Sequence, residues 1–195
     1  MARAVSETHG EILAAAARRF AVTGYRGTSL QDIAREVGCS KATVLYHFAN
    51  KEALLAELMA PAIAMLRDLD DQLTGLTGAA AQQVAAVGFV DLAVRFRRQI
   101  ALLRGEFPEL LAQPAFAHIQ QISERLRDAF AGHSERPGAR ISALVLLAGI
   151  PEACAEFVDV PDDELRPALL TLVRRAVEPV EPPLPQPPTT EDKET

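Results

Sequence analysis

Between Leu30 and Lys51 the chain gathers side chains suited to gripping a phosphate backbone. Ser40 is placed to cap a helix running to about Phe48, so Ser40, Lys41 and Thr43 present donors near its N-terminus. That end of a helix carries partial positive charge and free N–H groups, and it favours phosphates. Tyr46 and His47, one turn later, have groups that donate to phosphate oxygens, and Lys51 at the start of the next helix can do the same. Contacts of this kind hold register, whereas sequence is read at base edges. Lys41 suits guanine, and Leu45 or Ala42 suits a thymine methyl.

The sequence offers no comparable case for catalysis. His9, His47, His118 and His133 have no metal-ligand spacing, and no Ser/His/Asp order, Gly-rich phosphate loop or paired acid stands out. Cys39 and Cys154 are far apart and fit no metal or redox spacing. The reading is therefore a non-enzyme without metal or cofactor.

The elements that position these donors follow from the apolar pattern. Thr28-Ser29-Leu30-Gln31 reads as a capped helix start, and Leu30, Ile33, Ala34 and Val37 form the stripe of a short helix that Gly38 terminates. Ala34 is small where two helices must cross, and Val37 and Val44 close a miniature core between them. Two short helices across a glycine turn, with donors on the second, make a helix-turn-helix. Two capped amphipathic helices of this sort also occur in all-α proteins that bind no DNA. The Tyr46-His47-Phe48 run is an odd choice for a purely solvated face and favours the DNA reading.

Charge is segregated in the same sense. The chain carries −6 overall, but residues 1–51 hold seven Lys/Arg against four Asp/Glu, a net +3. Residues 52–195 hold thirteen against twenty-two, a net −9. A phosphate backbone responds to the local field of the basic head, because screening cuts interactions off within about 8–10 Å.

Composition and periodicity give an all-α chain. Hydrophobic residues make up 49% and aromatics only 5%, with Ala and Leu dominant, a mixture that favours helix over sheet. The first helix is expected from near Thr8, where Thr8-His9-Gly10-Glu11 has capping-box spacing, to Gly24. Asn50 is placed to cap a fourth helix from Lys51 to about Leu73, kinked at Pro61. A long central helix is expected over 82–103, a short one over 107–113, and an amphipathic one over 115–131. Two more follow over 139–158 and 162–177. The domains are thus 1–51, a DNA-binding helix-turn-helix; 52–178, a ligand-binding and dimerisation domain; and 179–195, a Pro-rich tail too polar to fold. No apolar run approaches the roughly 20 residues that span a bilayer, and the first residues lack a signal-peptide core. The expected location is the cytoplasm.

The N-terminal stretch resembles the DNA-binding domain of the TetR family of bacterial regulators. The matching residues are Thr28-Ser29-Leu30-Gln31-Asp32-Ile33-Ala34, Val37-Gly38-Cys39-Ser40-Lys41-Ala42-Thr43, and Tyr46-His47-Phe48-Ala49-Asn50-Lys51-Glu52-Ala53-Leu54-Leu55. Upstream, Ile12-Leu13-Ala14-Ala15-Ala16, Phe20 and Gly24-Tyr25 match the family's first helix. The resemblance implies phosphate contacts from Thr28, Thr43, Tyr46, His47 and Lys51, and base-facing positions for Lys41, Ala42 and Leu45. Leu45 departs from the pattern, since the family usually has an aromatic there.

The resemblance further implies an effector-binding body, with the last two helices forming a four-helix homodimer interface. The residues support it: 142–150 is apolar nearly all round and needs cover that a partner chain can supply. A ligand pocket is expected among the fourth, fifth and seventh helices, lined by Met65, Phe89, Phe96, Phe107, Phe116, Ile119 and Gln120. Such a lining selects a mostly apolar small molecule, with Asp91, Arg95 and Arg98 as candidate polar anchors. The expected function is a repressor released from double-stranded operator DNA by that molecule. The alternative is a helical protein–protein adaptor that keeps the fold without binding DNA.

Overall fold

A computed structural model describes residues 2–102 and 117–177. The expected short helix over 107–113, the pocket candidates Phe107 and Phe116, and the Pro-rich tail fall outside these residues. Every element among the described residues is a helix. They are α1 (Ala2–Gly27), α2 (Leu30–Val37), α3 (Lys41–His47), α4 (Lys51–Leu73), α5 (Gly78–Arg95), α6 (Arg97–Ala101), α7 (Ala117–Phe130), α8 (Pro137–Glu156) and α9 (Asp162–Ala176).

Helix α1 starts six residues before the expected cap at Thr8, so Thr8 lies inside it. Ala2, Arg3 and Glu7 are tolerant of helix, and one internal glycine costs only about 1 kcal/mol. Gly24 interrupts α1 with φ 74° and ψ 164°. The short helices end and begin on side-chain caps. Ser29 Oγ accepts from Asp32 N–H while Asp32 accepts from Ser29 N–H at 3.1 Å, a reciprocal capping box. Gly38, at φ 78°, closes α2 in the left-handed conformation that a side chain disfavours. Ser40 caps α3 by accepting from Thr43 N–H at 3.0 Å, and Asn50 caps α4 by accepting from Ala53 N–H at 2.8 Å.

One apolar cluster holds α1–α3 to the first half of α4. Ile12, Ala16, Phe20, Ile33, Ala34, Val44, Phe48, Leu54 and Leu55 are all buried in it. The packing continues past Lys51 through Met59 and Ala62 and takes in Leu92 from α5 and Phe96 just after it. A second cluster forms the body around α5, whose Ala81, Ala85, Phe89, Val90, Ala93 and Val94 are buried among α4, α7, α8 and α9. Gly88 lets α4 come close, because a Cβ there would sit 2.3 Å from Leu69 Cδ1.

The expected helix over 82–103 is two helices. Phe96, at φ −107° and ψ 19°, breaks it, and its ring turns into the N-terminal cluster. Arg97, next in sequence, faces the opposite way. Its guanidinium donates to the carbonyls of Val94 (3.0 Å), Val158 (2.9 Å) and Val160 (3.2 Å) and pairs with Asp162. The break is thus stabilised on both sides, by ring burial on one and by charged hydrogen bonds on the other. The helix α4 runs on through Pro61 from Lys51 to Leu73.

Helix α8 is, by length and composition, apolar enough to cross a membrane, contrary to the expectation from apolar runs. Its Ala139, Ala143, Leu146, Ile150 and Cys154 row is packed into the body core. The opposite side leaves Ile141, Leu144 and Val145 more than half exposed. Burial pushes the Cys154 thiol up to about 11, so it is a neutral core group at physiological pH.

Candidate nucleic-acid interface

The rotation of α3 is set by what it buries. Val44 is fully buried and Phe48 nearly so, and burying such side chains is worth ~1.5–3 kcal/mol each. With that face locked inward, Lys41, Ala42, Leu45 and Tyr46 point to solvent, Leu45 at 43% and Tyr46 at 77% exposure. A large aromatic and a leucine left this open, beside a lysine, form a polar–apolar surface rather than an ordinary solvated face.

The remaining predicted donors divide into two groups. Ser40 is exposed, with its Oγ already accepting from Thr43 N–H, and the two hydroxyls lie 2.9 Å apart. His47 is half-buried, edge-on to Tyr46 at 5.3 Å and to His9 at 5.7 Å between ring centroids. Ser40, Lys41, Ala42, Thr43, Leu45, Tyr46 and His47 therefore share one helix and its cap.

Thr28 and Lys51 lie elsewhere. Thr28 is buried at 2% exposure; its Oγ1–H donates to Gly24 O at 2.8 Å, and Thr23 Oγ1 is 2.7 Å away. Lys51 Nζ donates to Tyr25 O at 2.7 Å and Thr28 O at 3.0 Å, and it lies 4.3 Å from the Tyr25 ring centroid. The reason is the break at Gly24. The interruption of α1 there leaves carbonyls without regular helical partners, and buried carbonyls must find donors. The Thr28 hydroxyl and the Lys51 ammonium donate to Gly24 O, Tyr25 O and Thr28 O, so both side chains brace the α1–α2 connector.

Sequence reasoning missed the support behind the interface. The His9 ring stacks on Phe48 at 4.4 Å, and its Nε2 lies 2.6 Å from Glu57 Oε1. That joins α1, the end of α3 and α4. Glu36 binds both Arg18 (2.8 Å) and Arg19 (3.1 Å), tying α1 to α2. A surface histidine 39 residues from its stacking partner has no local signal in the sequence.

The described pocket candidates are distributed over different packing groups. Phe89 belongs to the body core, edge-on to Phe130 at 5.9 Å. Phe96 and Met65 pack in the N-terminal cluster. Ile119 is buried at 7% exposure, and Gln120 is exposed. Asp91 pairs with Arg166 of α9 at 2.5 and 3.1 Å rather than with Arg95, while Arg95 and Arg98 are exposed. Among the described residues no group of three or more His, Cys, Asp or Glu is placed to hold a metal.

Residues 12–58 match the model of the bacterial regulatory proteins of the tetR family, which covers α2, α3, most of α1 and the start of α4. The chain is 28% identical over 134 residues to the HTH-type transcriptional repressor KstR2 of Mycobacterium tuberculosis, covering 63% of this chain and 62% of that protein. It is 44% identical over 69 residues to the HTH-type transcriptional regulator RutR of Escherichia coli, covering 35% of this chain and 29% of RutR. The chain thus spans under two thirds of the length of these relatives. The crystal structure of Mycobacterium smegmatis AmtR superposes with a TM-score of 0.59 at 25% identity, over 83% of this chain and 84% of AmtR. Residues 12–58 are thus similar in sequence to the DNA-binding region of the tetR family, and the helical body is similar in fold to that of AmtR.

Proposed function

We propose that this chain is a DNA-binding transcriptional regulator that docks α3 in the major groove of an operator. The observation that carries the reading is the outward face of α3. Lys41, Ala42, Leu45 and Tyr46 stand exposed on a helix whose rotation Val44 and Phe48 lock. Lys41, Ala42 and Leu45 face bases, while Ser40, Thr43, Tyr46 and His47 reach the backbone. Thr28 and Lys51 serve the interface by holding the α1–α2 connector, which presents the N-terminus of α2.

The regulator acts as a homodimer. Ile141, Leu144 and Val145 on α8 and Phe157 and Leu172 near and on α9 are all at least 54% exposed, an apolar area that favours a second copy. Two α3 helices then meet half-sites about 34–36 Å apart, or a multiple of that. A mostly apolar effector binding in the body shifts α4, which begins directly after the DNA-reading unit and ends in the body, and so releases the operator. Effector and operator must weaken one another by the same factor.

The experiment is selection of duplexes from a random-sequence pool by the full-length protein, followed by gel shift. Enrichment of a shared, two-fold symmetric sequence supports the reading. A pool that stays unenriched at low salt removes it.

A further inference from the structure

On the reading that α3 enters the major groove, we infer that Leu45 is a specificity-determining residue that makes operator choice depend on a thymine C5 methyl. At about 100° per residue, Ala42 and Tyr46 stand opposite the buried Val44. Lys41 and Leu45 flank that line on one side, Thr43 and His47 on the other. The flanks differ in chemistry. Thr43 is engaged with the Ser40 hydroxyl at 2.9 Å, and His47 leans on His9. The other flank is a cation followed, one turn on, by a leucine at 43% exposure with exposed Ala42 beside it.

Leu45 has no donor or acceptor, so it reads a base only by apolar contact. In the major groove the bases present nitrogen and oxygen edges, and the thymine C5 methyl is the one apolar group among them. Any other edge pressed against Leu45 loses water without a replacement partner, which costs free energy. Thymine alone gains from the contact. Lys41 stands one turn away, about 6 Å along the helix axis. The base it reaches and the thymine therefore lie within about two base-pair steps.

The test uses a duplex selected by the full-length protein. Each thymine is replaced in turn by deoxyuridine, which removes only the C5 methyl. At one thymine per half-site the wild-type affinity should fall about fourfold, the value of burying one methyl group. The same replacement should change nothing for Leu45→Ala, which keeps its fold because Leu45 is on the surface. Leu45→Asn provides a second variant that should be equally blind to the methyl. A duplex with no sensitive thymine overturns the proposal, as does a penalty that persists in Leu45→Ala. Failure to select any duplex overturns the DNA-binding reading first, and this proposal with it.

Discussion

Lys51 carries the kind of charge a phosphate attracts, yet its ammonium is committed to two backbone carbonyls and the face of Tyr25. Hydrogen bonds to charged groups are worth ~1.5–3 kcal/mol, and stripping the donor leaves Tyr25 O with only the long bond from Thr28 N–H. Lys51→Met should therefore lower the melting temperature by several degrees, and Lys51→Arg should recover most of that loss. Neither should change the salt dependence of DNA affinity per folded molecule. A slope reduced by about one unit in Lys51→Met would instead place the ammonium on a phosphate. At this scale the outward placement of the α3 residues was legible because it depends on one short helix and its cap. The hydrogen bonds of Thr28 and Lys51 were not, because they depend on which carbonyls the α1–α2 connector brings near them.

The caps were the most legible elements. Ser29, Gly38, Ser40 and Asn50 act through neighbours three or four residues away, so spacing alone identifies them. The limits of α4 at Lys51 and Leu73 follow from the same local logic. The break at Phe96 was hidden because an uninterrupted apolar pattern runs through it, and what stabilises the break comes from distant carbonyls and Asp162. The capping box of α2 has a pH signature. The Ser29 hydroxyl, then the Ser29 N–H and Arg35, hold the Asp32 carboxyl below its ordinary value. A carboxyl lowered by folding stabilises above its unfolded pKa, about 3.9, and that stability is lost as pH falls through the folded value. Asp32→Ala should therefore be less stable than wild type at pH 7, with a smaller gap at pH 3. Urea unfolding at both values checks it, and an equal gap at the two would place the stabilisation outside the carboxylate.

For the whole molecule, the packing joins the DNA-reading unit to the body. Leu92 of α5 and Phe96 at its end sit in the cluster that holds α1–α4, while Arg97 ties down the α8–α9 corner. Which side of α8 faces out was not legible, because residues 142–150 are apolar nearly all round and only tertiary packing decides which side faces in. Leu146 is at 3% exposure in its own core, whereas Leu144 and Val145 face out. Leu144→Glu and Val145→Glu should give folded monomers in light scattering, because a charge at the seam opposes association. Leu146→Glu should unfold the chain, since it buries a charge in the core. Dimers that persist in both surface variants would move the seam off α8.

If the exposed face of α3 reads DNA, fluorescence anisotropy with the selected duplex will register its loss. Wild-type protein is compared with the Lys41→Ala/Tyr46→Ala double variant after circular dichroism shows the two equally helical. The wild type should bind with a Kd of ~10⁻⁸–10⁻¹¹ M at physiological salt, and the double variant should fall towards the non-specific range of ~10⁻⁴–10⁻⁶ M. An equally helical double variant that binds the duplex as tightly as wild type would take the exposed face of α3 out of the DNA interface.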